Sequence, residues 1–339
     1  MELYCGMDLH SNNVYTGIIS QDQKRVFSKR LPCDLPSILN ALDPHRPFIK
    51  NMAVESTYNW YWLVDGLREH GYPVVLANPA RMGQYNGLKH SDDKTDAFWI
   101  AEMLRLDILP TGHIYDPQTR PLRDLLRRRL WCVHQRTRSM LSFMSLYTRH
   151  TGRQIASRAF WDLDAEKLEE IFEHPYTRIQ AAMLFENASR FNDQATQLEA
   201  LGLKELRPSP AMRHLKSIPG IGDILAMSIL TETGPLSRFA SSGCYASYCR
   251  CVQSKRTSNH KKKGDGNARN GNRYLAWAWV EASNFHRRYH EPAARYHQKK
   301  TTRRNAIVAT KSLAAKLCKG GYYTMRDEKD FDSRRMFGS

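Results

Sequence analysis

Acidic residues are scarce in this sequence: 34 Asp plus Glu face 51 Lys plus Arg, leaving a formal net charge of +17. That imbalance favours a polyanionic partner. Apolar runs long enough to cross a bilayer are absent, which excludes a membrane-spanning helix. No lipidation motif or basic amphipathic anchor occurs either, so nucleic acid rather than a membrane surface is the expected polyanion. The opening Met1-Glu2-Leu3-Tyr4-Cys5 lacks the basic and apolar regions of a secretory signal, and the cytoplasm is the expected compartment. The seven cysteines are odd in number, scattered and without a CxxC pair, which argues against a disulfide framework. A zinc site drawn from Cys249, Cys251 and His260 would have the wrong spacing for the common structural sites, so the thiols read as small buried hydrophobes.

What is present is a globular composition, 41% hydrophobic over 339 residues, enough for about two domains with their own cores. The first hundred residues alternate strands with helices. Leu3 to Met7 is a short apolar run ending at Asp8, and Asn13 to Ser20 and Arg25 to Leu31 alternate around a polar turn, which predicts a three-strand meander. A helix at Leu35 to Leu42, a buried strand at Asn51 to Glu55, a helix at Trp60 to His70 and a strand at Pro73 to Ala77 follow. After a loop from Asn78 to His90, the segment Lys94 to Leu106 has Ala97, Ile100, Ala101 and Leu104 on one helical face. The predicted order is βββαβαβα.

This order puts four carboxylates at useful places. Asp8 ends the first strand, Glu55 ends the fourth, and Asp93 and Asp96 share one face at the start of a helix. Taken singly, such acids are often turn or cap residues, and Asp92 is the expected helix cap. Glu55 is different, because it closes the apolar run Met52-Ala53-Val54 and buried carboxylates are rare without a partner or a metal. Gathered together, the four repel one another unless cations neutralise them, which points to one or two Mg²⁺ ions acting on a phosphodiester.

From about Pro121 to Arg207 apolar residues recur at helical spacing, with Gly152 and Pro175 as the strong breakers, predicting long antiparallel helices. Their first part is rich in arginine: Arg120, Arg123, Arg127, Arg128, Arg129, Arg136, Arg138, Arg149, Arg153 and Arg158. So few acids accompany them that a nucleic-acid track is favoured over a merely solvated face, and the same helices could mediate oligomerisation. Near Pro208 a second small domain begins. Ile218-Pro219-Gly220-Ile221-Gly222 before an apolar helix is similar to a helix-hairpin-helix turn, whose backbone N–H groups at Gly220 and Gly222 would meet a DNA phosphate; an ordinary tight turn reads equally well. Next comes a polar basic loop holding Ser254, Thr257, Ser258, Lys261, Lys262 and Lys263, then Gly271-Asn272-Arg273-Tyr274-Leu275 entering a helix. A serine among positive charges can act as a nucleophile, but composition does not choose among the hydroxyls.

Taken in order, Gly6-Met7-Asp8, Val54-Glu55-Ser56-Thr57-Tyr58, Asn78-Pro79, Asp93-Lys94-Thr95-Asp96-Ala97, Ile218-Pro219-Gly220-Ile221-Gly222, Phe239 with Ala246-Ser247-Tyr248, and Gly271-Asn272-Arg273-Tyr274-Leu275 resemble the serine transposases of bacterial insertion-sequence family 110, including its 1111 subgroup and the pilin-gene invertase. The resemblance covers nearly the whole chain. It implies an α/β RuvC-like, ribonuclease-H-like domain carrying a DEDD tetrad, a helical coiled-coil segment and a mostly α-helical C-terminal transposase domain. On this sequence these fall at 1–115, 116–207 and 208–325, with a tail at 326–339. The tetrad maps onto Asp8, Glu55, Asp93 and Asp96, and the nucleophile of the family's Ser-Gly segment onto Ser258, although Asn259 stands where glycine is usual. The resemblance further implies a homo-oligomeric recombinase in the bacterial cytoplasm, acting on donor and target DNA under the direction of a structured noncoding RNA. Base pairing would then read sequence while the protein reads shape and backbone. Arg123, Arg127, Arg128, Arg136, Arg273 and the three lysines of the loop are the expected nucleic-acid contacts. Two other classes fit the residues less well: a metal-dependent resolvase or nuclease using water as nucleophile, and a non-catalytic RNA-binding protein on a decayed fold.

Overall fold

A computed structural model of the chain describes residues 1–82, 92–206, 209–252, 256–259, 261–264 and 270–338. Most of the expected loop before His90 lies outside the described residues, as do Gln253, Ser254, Lys255 and His260. The chain divides into two compact units, Met1–Pro117 and Gln118–Ser339.

The first unit is a mixed sheet with helices on both faces. Strands β1 (Leu3–Leu9), β2 (Asn13–Ser20) and β3 (Arg25–Pro32) form the meander; α1 (Leu35–Leu42), β4 (Ile49–Glu55), α2 (Tyr61–Glu69), β5 (Val74–Ala77) and α3 (Asp93–Arg105) follow in the expected order. The sheet order is β3-β2-β1-β4-β5-β6, with β1, β4 and β5 parallel and the rest antiparallel. The added strand β6 (Thr111–Gly112) has two residues, too few for any alternation to announce it.

Strand β1 is buried on both faces, and its alternation decides what each face meets. Leu3, Cys5, Met7 and Leu9 join the cluster of Ile38 and Leu42 from α1 and Leu63, Val64 and Leu67 from α2. Each such side chain removed from water contributes about 1.5–3 kcal/mol, which fixes the register of the strand. The opposite face, carrying Tyr4, Gly6 and Asp8, receives α3 through Phe98, Ile100, Ala101 and Leu104. Gly6 allows the approach: a Cβ there would lie 2.0 Å from the Ala97 carbonyl oxygen and 2.6 Å from the Ala101 nitrogen. Only a residue without a side chain lets the helix backbone rest on the strand.

The second unit is almost wholly helical. Helices α4 (Arg120–Thr151) and α7 (Pro175–Leu206), each of 32 residues, run antiparallel along each other. Their pairing shows in Arg129 to Glu199 at 3.1 Å and Arg136 to Asn192 at 2.9 Å. Gly152 ends α4 in a left-handed conformation (φ 68°). The short helices α5 (Ser157–Trp161) and α6 (Ala165–Ile171) close over the turn, where Phe143, Phe160 and Phe172 stack edge to face. The remaining elements are α8 (Pro210–Lys216), α9 (Asp223–Thr233), α10 (Ser242–Tyr248), a ribbon of β7 (Arg256–Ser258) and β8 (Lys261–Gly264), then α11 (Arg273–Tyr289), α12 (Glu291–Arg303), α13 (Ala306–Asp327) and α14 (Ser333–Phe337). Their core gathers around Tyr245, Leu275, Trp279 and Leu317, all fully buried. The last residues pack on it through Phe331 and Met336, and Asp330 pairs with His214 at 2.8 Å. Among the described residues no helix is long and apolar enough to cross a membrane.

Candidate active site

The strand register builds the acid cluster. Met7 pairs with Val54 across the parallel β1–β4 ladder, so Asp8 and Glu55 follow side by side at the carboxyl ends of two neighbouring strands. Asp8 shares its face with Gly6, the face on which α3 rests, because residues two apart on a strand point the same way. The N-terminus of α3 therefore opens over Asp8. Asp92 caps that helix, its carboxylate accepting from the Thr95 N–H at 2.7 Å, and Asp93 and Asp96 stand in the first turn.

The carboxylates feel one another. Burial raises the Asp8 pKa, with the charges of Asp93 and Asp96 adding to the rise. Glu55 is pushed up to about 7, first by burial, then by the Asp8 charge and a hydrogen bond to Asp8, with Asp96 adding to it. Burial and mutual repulsion thus disfavour the charged forms of both groups, an effect that a cation bound beside them would oppose. Asp92 goes the other way, held below the usual range by the Thr95 hydrogen bonds.

Two residues join the cluster that the sequence did not single out. The turn after β1 brings His10 back over the acids, its Nε2 3.0 Å from an Asp8 oxygen and 3.3 Å from an Asp93 oxygen. Arg30 arrives from β3, donating to Asp93 at 2.7 Å. Its arrival follows from register: Asp8 is opposite Tyr15, and Tyr15 is opposite Arg30, so all three lie on one rung and one face. Asp8, His10 and Asp93 offer ligand atoms that all lie within 4.8 Å of one another, and this donor set, mainly carboxylate oxygen, fits a divalent cation.

The serine lies in the other unit. Ser258 ends β7, exposed, opposite Lys261 in a ribbon where Thr257 pairs with Lys262. Asn259, next in the chain, has φ 49°. The two ends of the segment that carries the ribbon are tied together below it: the Arg250 guanidinium donates twice to the Gly271 carbonyl (3.1 and 2.8 Å), and the Asn272 N–H donates to the Tyr248 carbonyl at 2.6 Å.

Residues 5–149 match a family model described as a transposase, of the DEDD IS110 type, and residues 212–298 match one described as "Transposase IS116/IS110/IS902 family". The chain belongs to the insertion-sequence 110 family of transposases. The first match contains Asp8, Glu55, Asp93 and Asp96, and the second contains Ser258. The transposase-family chain is also 22% identical over 225 residues to the protein named "Putative transposase y4qE" of Sinorhizobium fredii, an alignment covering 66% of this chain and 55% of that protein. It thus spans little more than half the length of that curated relative.

The expected nucleic-acid residues divide by accessibility. Arg123 is buried, and Arg127 is committed to Glu232 by two hydrogen bonds at 2.5 and 2.8 Å. Arg136 holds Asn192 on α7. These three guanidinium groups brace the helices, because a charge next to a core must be paired where it stands. Arg128, stacked on Trp131 at 3.9 Å, and Arg273, Lys261 and Lys263 are exposed. Gly220 has φ 92°, and a Cβ on it would lie 2.6 Å from the His286 nitrogen, so it docks the turn against α11. Gly222 is exposed at the N-cap of α9, with nothing within 4 Å of a Cβ there. Of the residues weighed for zinc, Cys249 is buried and Cys251 partly so, both as free thiols.

Proposed function

We propose that this chain is a site-specific DNA recombinase of an insertion sequence, cutting and rejoining strands through a divalent-metal carboxylate site and a serine nucleophile. What carries the reading is the gathering of Asp8, Glu55, Asp93 and Asp96 at one end of the sheet, in a chain whose family is that of DEDD transposases. Asp8, Glu55, Asp93 and Asp96 would hold the ion, Mg²⁺ in this proposal. Once bound it supplies positive charge that neutralises the carboxylates and polarises a scissile phosphate.

Ser258 is the proposed nucleophile. Its Oγ gives up a proton and bonds to the phosphorus while the bridging DNA oxygen leaves, so the broken strand is kept as a phosphoserine ester; reversal onto another strand rejoins it. Support comes from its exposure beside Lys261, and from the left-handed backbone at Asn259. Glycine adopts that conformation freely and asparagine more readily than most residues, so Asn259 suits the place of the family's usual glycine. The acid cluster and the serine belong to different units, which fits a composite site drawing on two protomers. We assign 1–115 to the catalytic acids, 116–207 to a linker and oligomerisation segment, and 208–325 to the serine-bearing domain, with 326–339 as a tail.

The exposed Arg128, Lys261, Lys263 and Arg273, with the net charge of +17, support a nucleic-acid surface. We extend the proposal to a structured guide RNA pairing with donor and target DNA. Incubation with DNA carrying the element ends and the RNA that co-purifies should give a phenol-resistant protein–DNA adduct in a denaturing gel. Ser258→Ala should abolish the adduct. Its persistence in that variant would remove Ser258 from the reaction, and strand cutting with no adduct in the wild type would assign the attack to water.

A further inference from the structure

We infer that His10 is a nitrogen ligand of the same metal site, so that the site proposed above for Mg²⁺ also takes Mn²⁺, or a similar transition-metal ion, and binds it the more tightly of the two. The inference rests on the proposed metal-carboxylate reading and adds to it a ligand of different chemistry.

The geometry points there in three steps. First, the ring is aimed at the site: Nε2 is 3.0 Å from Asp8 Oδ2 and 3.3 Å from Asp93 Oδ1, between a strand end and a helix start that lie far apart in sequence. Neighbouring ligand atoms of a six-coordinate ion with bonds of about 2.1 Å are separated by about 3.0 Å, so the two spacings are already those of adjacent ligands. Second, the turn carrying His10 is fixed. The His10 N–H donates to the Asn13 carbonyl at 2.9 Å, and the His10 carbonyl accepts from Asn59 Nδ2 at 2.9 Å. Asn59 is itself oriented by Thr57, whose hydroxyl donates to Asn59 Oδ1 at 2.9 Å. Since Thr57 and Asn59 directly follow Glu55, one short segment delivers a carboxylate and braces the imidazole beside it. Third, Arg30 occupies the outer oxygen of Asp93 at 2.7 Å, which leaves Oδ1, the oxygen facing His10, turned to the site. A bracing shell that orients ligands from behind is what a metal site requires.

Chemistry supplies the selectivity. Mg²⁺ prefers carboxylate, carbonyl and water oxygens and gains little from an imidazole, whereas the first-row transition-metal ions gain from nitrogen, Mn²⁺ least among them but more than Mg²⁺. A site with one imidazole among carboxylates therefore gives Mn²⁺ an advantage that a purely oxygen site does not.

The test uses the full-length chain freed of nucleic acid. Mn²⁺ and Mg²⁺ affinities are measured by calorimetry for the wild type, His10→Ala, His10→Gln and Asp8→Asn, and the bound Mn²⁺ is examined by electron spin-echo spectroscopy for modulation from a directly coordinated imidazole ¹⁴N. Expected are a nitrogen signal in the wild type that both His10 variants lose, a drop of about tenfold or more in their Mn²⁺ affinity, and a change of less than about threefold for Mg²⁺. His10→Gln keeps the comparison available if His10→Ala does not fold. Unchanged Mn²⁺ affinity without a nitrogen signal would overturn the inference. So would tighter binding of both ions by the His10 variants, which would make the ring a group displaced by the metal. Asp8→Asn separates the two levels: it should lose both ions, and if it binds them as the wild type does, the carboxylate reading itself falls.

Discussion

The acid cluster and the serine ribbon differ in how they are held. Asp8 sits on a strand buried on both faces, under a helix whose backbone touches the strand at Gly6. Ser258, itself exposed, sits on a two-stranded ribbon, with the segment around it tied at its base by Arg250, Gly271, Tyr248 and Asn272. Packing sets the first in several independent ways, while a few hydrogen bonds set the second. A metal site needs its ligands fixed to a fraction of an ångström. A nucleophile that must reach a strand, and under the composite-site proposal another protomer's metal, gains from a support that can move as a piece.

Gly6→Ala tests the rigid half and carries the largest expected effect. The added Cβ meets the backbone of α3 at 2.0 Å, so the helix must lift from the strand and take Asp93 and Asp96 with it. A loss of at least about 4 kcal/mol from the N-terminal unit is expected, together with loss of divalent-ion binding. Gly222→Ala, where a Cβ meets nothing within 4 Å, is the control and should lose no more than the roughly 1 kcal/mol of a poorer N-cap. Chemical denaturation followed by calorimetric metal titration measures both; a Gly6→Ala protein that binds the ion normally would show that the helix contact does not set the site.

The same contrast explains what could be read from the sequence. Short apolar runs on β1 and β4, alternation on β2 and helical spacing on α3 are direct imprints of burial, so the element order and the positions of Asp8, Glu55, Asp93 and Asp96 on it were legible. His10 and Arg30 were not. His10 looks like an ordinary turn residue until the chain folds back, and Arg30 reaches Asp93 only through the pairing of three strands, a register that periodicity does not specify. The direction of the arginines in the Arg-rich run was not legible either: sequence shows charge but not direction, and Glu232, the partner that turns Arg127 inward, lies 105 residues further along. The ribbon around Ser258 has no apolar imprint at all, since both its strands are polar.

Glu232 is where the serine-bearing half meets its own core, and its removal carries the second largest effect. The buried carboxylate receives Arg127 from α4 and the Asn272 amide at 2.7 Å, while Asn272 Oδ1 caps α11 by accepting from Tyr274 and Leu275. Glu232→Ala leaves a guanidinium beside the core without its carboxylate, and a loss of about 3 kcal/mol from the C-terminal unit is expected. Replacing both partners, Arg127→Met with Glu232→Leu, should recover most of it. Urea unfolding of the two variants decides the matter: a single variant within about 0.5 kcal/mol of the wild type would mean the pair holds nothing together.

Arg250→Ala has the smallest effect on folding and the most specific one on function. The guanidinium spends two donors on the Gly271 carbonyl, a charge-assisted tie worth about 1 kcal/mol at an exposed place, so the melting temperature should fall by only a few degrees. Metal binding by the acid cluster should not change, because those ligands belong to the other unit. Covalent capture of DNA by Ser258 should drop by about tenfold or more, since the ribbon would lose this tie and sample orientations that do not reach the phosphate. Arg250→Lys keeps a donor and should recover part of the capture. If capture in Arg250→Ala equals that of the wild type while the melting temperature falls as expected, the tie is structural only, and the precision of the serine half must come from the nucleic acid that closes over it.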